Sequence, residues 1–532
     1  MTASLETPTA PLTARVRDAL GEVPLAAPTF PGEVRAVVPL ASLVAACVAV
    51  HDTLDAPLAT MVGLDDRANT GVFRLIYVFG AEGQWVSIET AVDPAHPHFP
   101  AVTPHLPAAH WYEREVKDML GLMPDNHPDP RRLVLHDDWP EGVHPLRKDF
   151  DPAVAVPHSD EYHHRFHHLH GDGIIETPVG PIHAGVIEPG HFRFAAVGEV
   201  VLHLETRLFY THRGIEKLAE GKTAAQVLQI AERICGACAL SHAVAYCQAI
   251  ETIADATIPP RAVALRTLLL ELERLYNHFG DLGNLCSGTG FAVGTSQGAW
   301  LKEECQRLNE RLVGHRFLRG VCRIGGVRRD LDAAAVADAR ATLRRLFPAC
   351  QRFRDLFFGT DSFIERMTNT GIVPLQAAID LGAVGVAARA SGITCDARVD
   401  HPYAGYADLR VPIATRTVGD VKARAEVRFD EAFTSFRLVE ELLDALPGGP
   451  LAAPVDDNVL PNRTALSAVE SPRGEDIHWV RTDGAGRIDR YRIRSASFCN
   501  WPIVALSVPG NMVPDFPLIN KSFELCYACL DR

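Results

Sequence analysis

The sequence predicts an α+β fold: an N-terminal α/β module over residues 1–150, a connector over 151–173, and a large, mainly α-helical domain over 174–532. Three observations predict it. Phe73–Phe79 and Trp85–Thr90 are rich in aromatic and β-branched residues, and Gly80-Ala-Glu-Gly83 between them reads as a turn, so two strands are expected. Pro and His become frequent from Pro94 to Pro157, and His158, His163, His164, His167, His168 and His170 crowd the connector. Beyond residue 190 the apolar positions recur mainly at helical spacing. A chain of 532 residues also exceeds what one ordinary core accommodates.

The helical elements follow in order. Thr223-Ala-Ala-Gln226 is a capping box, and Val227, Ile230 and Ile234 behind it share a face. Pro260 opens a helix that carries Leu265, Leu268, Leu272, Leu275 and Phe279. Asp332 to Phe358 is a third helical region, and residues 477–494 read as a hairpin turning at Gly484-Ala-Gly486. His163/His167 and His164/His168 have i, i+4 spacing, which on a helix could bind nickel. Gly171 and Gly173 follow closely, so a solvated connector is preferred over a metal store.

Hydrophobic residues at 47% and charged residues at 22% exclude a disordered chain. Lys+Arg total 52 against Asp+Glu 66, a net charge of −14, which argues against nucleic acid as a partner because phosphate binding needs a basic surface. The longest mainly apolar run, Ala36–Val50, is too short to span a bilayer, and Met1–Ala14 lacks the basic and apolar regions of a signal peptide. The expected location is cytoplasmic, with any membrane attachment made through other subunits.

Twelve cysteines are too few for a disulfide scaffold. Cys47, Cys247, Cys286, Cys305, Cys322, Cys350, Cys395 and Cys499 are scattered singly and read as small core residues. The other four form two pairs: Arg233-Ile-Cys235-Gly236-Ala-Cys238-Ala-Leu-Ser-His242, and Cys526-Tyr-Ala-Cys529-Leu-Asp-Arg532. Cys-x-x-Cys lets both sulfurs reach one metal, and Gly236 permits a tight turn between the first two. Zinc ribbons place their pairs about 15–20 residues apart, whereas nearly all of the second domain separates these two. On spacing alone, structural zinc and a redox-active metal held by four thiolates remain level.

The surrounding residues carry a resemblance. Arg-x-Cys-Gly-x-Cys-x-x-x-His and the terminal Cys-x-x-Cys-x-x-Arg resemble the two metal-binding motifs of the [NiFe]-hydrogenase large subunit. Gly180-Pro-Ile-His183-Ala-Gly-Val-Ile-Glu188-Pro-Gly-His191 resembles the N-terminal signature of the membrane-linked group 4 enzymes. His212-Arg-Gly-Ile-Glu216-Lys217, Glu273-Arg-Leu-Tyr-Asn-His278, Asp396-Ala-Arg-Val-Asp-His-Pro-Tyr403, Ser471-Pro-Arg473-Gly474 and Pro514-Asp-Phe-Pro-Leu-Ile519 extend it. Trp111-Tyr-Glu113-Arg-Glu115-Val-Lys-Asp118-Met-Leu-Gly121 and His144-Pro-Leu-Arg147-Lys148-Asp149-Phe150 are similar to the 30 kDa subunit of respiratory complex I. Such a fusion resembles the formate hydrogenlyase and hydrogenase-4 type of large subunit, and the two resemblances cover nearly the whole chain.

The resemblance implies reversible interconversion of H2 with two protons and two electrons at a Ni-Fe centre. Cys235 and Cys526 would be terminal nickel ligands, and Cys238 and Cys529 would bridge nickel to an iron carrying CO and cyanide. Arg233 and Arg473 are candidate cations to offset the thiolate charge, and Arg473 resembles the family's arginine over the metals. Glu188 resembles its proton-relay glutamate, with Cys526 a possible first proton acceptor; outside this motif a cap or salt-bridge acid would be the better reading. His242 is expected to hydrogen-bond a ligand sulfur, with a structural histidine as the alternative. His183, Glu216, Glu273, His278, Asp396 and Tyr403 read as structural or coupling residues.

Implied partners are a small subunit with a [4Fe-4S] cluster, antiporter-like membrane subunits that hold the chain on the cytoplasmic face of the inner membrane, and a formate or carbon monoxide dehydrogenase. Two other readings stand beside this one. A complex I-like subunit with a quinone or coupling role is disfavoured because complex I counterparts lack the cysteine pairs, and a zinc scaffold would have no redox chemistry. The family often carries a tail removed just after the position of Arg532. The sequence ending there fits either a mature form or a gene without the tail.

Overall fold

The computed structural model of the chain describes residues 11–184, 187–456 and 459–532. Residues 1–10, most of the Met1–Ala14 stretch expected to hold no signal peptide, and Gly185 and Val186 of the 180–191 motif lie outside the described residues. The chain forms two compact units that divide between His163 and His164, inside the segment 151–173.

The first unit is built on a five-stranded sheet. Strands β1 (Leu25–Ala26), β2 (Glu33–Val37), β3 (Leu58–Asp66), β4 (Val72–Ala81) and β5 (Gln84–Val92) lie in the order β1-β2-β5-β4-β3. Only β2 and β5 pair in parallel; the other neighbours are antiparallel. The two expected strands are β4 and β5, joined at Glu82-Gly83, both with positive φ (51° and 72°). Helix α1 (Leu12–Leu20) packs on α2 (Leu43–Leu54), which covers β4 and β5. Helix α3 (His110–Leu120) lies across β3, where a Cβ on Gly63 would stand 2.5 Å from Leu120 Cδ1. A short parallel pair, β6 (His98–Pro100) and β7 (Met123–Asp125), flanks α3.

Two acids of the Trp111–Gly121 motif, Glu113 and Asp118, are spent on neighbouring backbone and hydroxyl donors. Glu113 accepts from Val102 N–H (2.6 Å), Tyr77 Oη (2.9 Å) and Thr103 Oγ1 (2.5 Å). One oxygen of Asp118 accepts three successive N–H groups, of Leu133, Val134 and Leu135. Burial raises the pKa of both, and the donors oppose that shift.

The second unit begins differently from the helical expectation. Residues 174–207 form an antiparallel sheet of β8 (Ile174–Val179), β9 (His191–Val197) and β10 (Val200–Arg207), in the order β10-β9-β8. The cause is visible in His191-Phe-Arg-Phe and Ile174-Ile175, short runs of aromatic and β-branched residues between turns. The histidine segment before it carries no helix, so its i, i+4 spacings do not face one another. It runs extended with His164 and Phe166 turned inward, His164 Nε2 lies 3.4 Å from Glu205 Oε1, and His167 N–H donates to Glu205 Oε2 (2.8 Å). This stretch is therefore partly docked on the sheet rather than a fully solvated connector.

The helical body follows. Helices α4 (Ile215–Ala219), α5 (Ala224–Ala231), α6 (Ala239–Ile253), α7 (Pro260–Ser287) and α8 (Ala292–Val313) come first. Thr223 closes the expected capping box on α5, worth about 1 kcal/mol. α7 and α8 form an antiparallel hairpin in which Gly283 and Gly298 touch: a Cβ on Gly298 would meet Gly283 Cα at 2.4 Å. After the two-residue strands β11 (Cys322–Arg323) and β12 (Gly326–Val327) comes α9 (Ala333–Phe358), capped by Asp332, and later α10 (Val421–Asp444). The antiparallel sheet β13 (Thr464–Ser471), β14 (Gly474–Thr482) and β15 (Ile488–Arg494) packs against α6. It contains the expected 477–494 hairpin. The chain closes with α11 (Ala496–Ser507), α12 (Phe516–Phe523) and α13 (Tyr527–Asp531).

Candidate metal centre

The four sulfurs of Cys235, Cys238, Cys526 and Cys529 all lie within 4.8 Å of one another. Cys238 caps the N-terminus of α6, Cys526 caps that of α13, and Cys526 alone of the four is not fully buried. Helix N-termini favour anions and so favour thiolates. Among the described residues no other group of three or more His, Cys, Asp or Glu side chains could hold a metal.

The four thiols cannot all ionise without a cation. Bonds from Cys238, Cys526 and Cys529 hold the Cys235 thiol well below the usual range. The bond to Cys235 pushes Cys238 up, and burial pushes Cys529 up. A bound cation removes that conflict, so the donor set fits a metal; a tetrahedral zinc or a nickel with bridged iron would both be satisfied by sulfur geometry alone.

The first pair is held by one face of α7. Glu273 accepts from Leu240 N–H (2.8 Å), Ser241 N–H (2.9 Å) and Ser241 Oγ. Tyr276 Oη (2.8 Å) and Asn277 Nδ2 (2.9 Å) both donate to the Ala237 carbonyl between the two cysteines. Burial pushes Glu273 up to about 7.

The second pair is held by many segments. Ser497 Oγ accepts from Cys526 N–H (3.0 Å), and Ser495 Oγ donates to the Cys529 carbonyl (3.0 Å). Asp531 accepts from Phe209 N–H (3.1 Å) and from Thr211 N–H (2.9 Å) and Oγ1 (2.6 Å). Arg532 Nη1 meets Glu216 Oε1 at 3.0 Å, and Arg490 and Arg492 share the same carboxylate. Despite burial, those three arginines hold Glu216 down to about 2.

Arg213 joins the two halves. Its guanidinium donates to the carbonyls of Arg233 (2.9 Å), Ile234 (2.8 Å) and Ala528 (2.8 Å).

Arg473 sits in the two-residue turn between β13 and β14, with Ser471 opposite Gly474. Gly474 has φ 134°, and a Cβ there would stand 2.7 Å from Gly385 N, so only glycine fits the turn. The guanidinium donates to Asn277 Oδ1 (2.7 Å), Asp281 Oδ1 (2.9 Å) and the Glu524 carbonyl (2.9 Å). Burial opposes its charge, but Asp281, Cys526, Cys238 and Glu524 outweigh burial and raise its pKa. Gly236 and Ala237 wall a cavity of about 510 Å³ that Asp281, Lys302, Arg473 and Glu524 also line.

Arg233 does not stand beside the sulfurs. It is exposed, and its guanidinium folds back to donate to the Gln229 carbonyl (2.6 Å) in the last turn of α5. An orphan helix-end carbonyl has captured the cation. Arg473 is the buried cation at the centre.

Glu188 is exposed at its position before β9, and its Oε2 accepts from Ala528 N–H (2.8 Å), between Cys526 and Cys529. It therefore makes the contact of a helix-cap acid while standing at the centre. Partial desolvation raises its pKa, and the Cys235 thiolate adds to this.

His242 is fully buried with Nε2 3.4 Å from Cys529 Sγ. Its other nitrogen lies 3.0 Å from His478 Nε2, and His478 Nδ1 lies 2.7 Å from Tyr491 Oη. Asp476 Oδ2 is 3.9 Å from His242 Nε2.

Asp281, Asp476, His478 and Tyr491 are residues that the sequence did not single out, and Arg213 stood in a quoted motif without a role. Two signals were present: a polar stripe of Glu273, Asn277, Asp281 and Asn284 along a buried helix, and the period-two alternation of Asp476 and His478 after Arg473. His183 touches Tyr527 (3.3 Å), while His278 and Asp396 belong to a buried ion network around Glu431, Arg389 and Arg398.

Comparisons with known proteins find relatives of both units. Residues 36–155 match the family described as respiratory-chain NADH dehydrogenase, 30 Kd subunit, and 290–466 with 454–532 match its 49 Kd subunit. Residues 213–285, which hold the first cysteine pair, match nickel-dependent hydrogenase. Formate hydrogenlyase subunit 5 of Escherichia coli K12 is 39% identical over 89% of this chain and 84% of its own length. Hydrogenase-4 component G of the same organism is 38% identical over 90% and 84%. A chain of the solved membrane-bound sulfane sulfur reductase, an archaeal respiratory membrane complex, superposes with TM-score 0.65 at 27% identity, covering 69% of this chain and all of that one.

Fold, cysteine centre and family matches together define a nickel-dependent hydrogenase on the scaffold shared with complex I. The chain belongs to the family of large catalytic subunits of membrane-associated [NiFe]-hydrogenases, with a fused 30 kDa-like domain.

Proposed function

We propose that this chain interconverts H2 with two protons and two electrons at a centre held by Cys235, Cys238, Cys526 and Cys529. Cys235, Cys238, Cys526 and Cys529 would hold nickel, with Cys238 and Cys529 as the sulfurs that would be shared with an iron carrying CO and cyanide. The observation that carries this is the meeting of four sulfurs within 4.8 Å from opposite ends of the domain, in a chain of hydrogenase family. When bound, such a centre supplies the site at which H2 is split or formed.

The chain's own groups do the rest. Arg473 holds a fixed positive charge at the centre, aimed by Asn277, Asp281 and the Glu524 carbonyl. Cys526, the least buried of the four cysteines, takes up a proton, and Glu188, whose pKa partial desolvation raises, carries it outward. His242 directs a ring nitrogen at Cys529. Arg233 takes no part in binding the cofactor.

Electrons leave through a partner with a [4Fe-4S] cluster, because no second cysteine cluster exists among the described residues. No helix among the described residues is long and apolar enough to cross a membrane. Attachment to the cytoplasmic face therefore runs through antiporter-like subunits, and a formate or carbon monoxide dehydrogenase supplies the electrons.

The test is an infrared spectrum of the purified, matured complex with metal analysis. Bands of metal-bound CO and cyanide together with nickel are expected; zinc without those bands would overturn the reading. Cys529→Ala is expected to lose nickel and H2 activity. Glu188→Gln is expected to keep both metals and lose most turnover, and unchanged turnover would remove Glu188 from the relay.

A further inference from the structure

The strand alternation of β14 turns Asp476 and His478 toward α6, and Tyr491 of β15 joins them on that face. α6 answers with His242 and Tyr246, one turn apart. The rings of His242 and His478 stack at 5.2 Å between centroids, and Tyr491 lies edge-on to His478 (5.4 Å) and Tyr246 (5.3 Å). The contacts make one line: Tyr491 Oη, His478, His242, Cys529 Sγ, with steps of 2.7, 3.0 and 3.4 Å.

Between neutral imidazoles each step needs one proton, so the line can run in only two directions. In the first, Tyr491 donates to His478 Nδ1, His478 Nε2–H donates to His242 Nδ1, and His242 Nε2–H donates to Cys529. In the second, every donor is reversed, and His242 turns a bare lone pair toward Cys529 Sγ and Asp476 Oδ2. A metal-bound thiolate carries no S–H, so the second direction sets a bare imidazole nitrogen against a bare sulfur, and an ionised Asp476 adds a third electron-rich atom. Asp476 sharpens the choice. Its Oδ1 is occupied by Ala496 N–H (2.8 Å), while its buried Oδ2 has no hydrogen-bond partner of its own and faces His242 at 3.9 Å.

We propose that Tyr491, His478 and Asp476 are positioning residues that fix the proton of His242 on Nε2, so that it donates to the Cys529 sulfur and withdraws charge from the metals. This rests on the reading of Cys529 as a bridging thiolate. Hydrogen bonds to ligand sulfurs lower their donation to the metal and raise its potential.

Asp476→Asn tests the direction. The side chain keeps its shape, Oδ1 still accepts from Ala496, and the new amide N–H points at His242 Nε2. That reverses the line and removes the donor from Cys529. In the matured complex, the CO band is expected to move to lower wavenumber, because a more electron-rich centre back-donates more, with nickel content unchanged. Tyr491→Phe leaves the direction unfixed, and a smaller shift of the same sign is expected; it also decides the matter if Asp476→Asn does not mature. Tyr246→Phe is the control, a buried phenol beside the line whose hydroxyl donates to the Ala224 carbonyl, and its bands should stay in place. Unmoved bands in both wire variants at full nickel occupancy overturn the proposal, as does an equal shift in the control. Absence of CO bands from the unsubstituted complex overturns the metal reading itself, and this inference with it.

Discussion

The two cysteine pairs present the same four-residue spacing to one centre, yet they are held by opposite strategies. The first pair is fixed by Glu273, Tyr276 and Asn277, a single face of one long buried helix. The second is fixed by Thr211, Glu216, Ser495, Ser497 and Glu188, drawn from separate parts of the second unit. One half of the site is therefore complete once α6 and α7 pack, whereas the other exists only when remote contacts have formed. Stability of the first half is local; that of the second is a property of the whole domain.

Substitutions can break this contrast. The largest effect is expected from Glu216→Ala, which strands Arg490, Arg492 and Arg532 in the interior without their carboxylate. Breaking such a network costs about 3–5 kcal/mol, to be read by chemical unfolding, and nickel retention should fall with it. A loss below that of a first-pair variant would remove the distinction.

Glu273→Gln comes next, at about 1–3 kcal/mol, since the amide keeps two of its acceptor contacts. Its pH dependence is more telling. Burial pushes Glu273 up to about 7 from a reference of 4.5, so the folded state favours the protonated acid. Its contribution is fully present below pH 4.5 and is lost as pH rises through 7. The metal-free chain should lose stability across that window, and Glu273→Gln should flatten the slope; an unaltered slope would remove Glu273 as its source. Arg213→Gln, which unties both halves at once but at an exposed position, should cost about 1 kcal/mol and speed nickel loss to a chelator in proportion. Arg233→Ala should change stability by no more than about 0.5 kcal/mol and leave nickel content as it was; nickel loss there would return Arg233 to the centre.

Much of this was legible in the sequence, and the misses share a cause. The capping box at Thr223, the helix from Pro260, the hairpin at 477–494 and the four sulfurs follow from local pattern or from motif. Arg233 misled because closeness in sequence to Cys235 was read as closeness in space, while its side chain follows the end of α5 instead. The sheet over 174–207 was hidden among helical periodicities, being three short strands of mixed polarity. Asp281, Asp476, His478 and Tyr491 matter only through tertiary placement, so no local signal names their partners.

The hairpin of β13 and β14 carries Arg473 at its tip and Asp476 and His478 on its second strand. The other face of the sheet carries Arg490, Arg492 and Arg494 of β15, turned away from α6. A slip of β14 by one residue would present Glu475 and Ile477 to α6 and deliver Asp476 and His478 to the arginine side. There is no half-correct arrangement between these two. Strand pairing in this sheet is thus proofread by the catalytic pocket: a misregistered chain fails at the cation and at the sulfur together, and cannot pass as a slightly weakened enzyme.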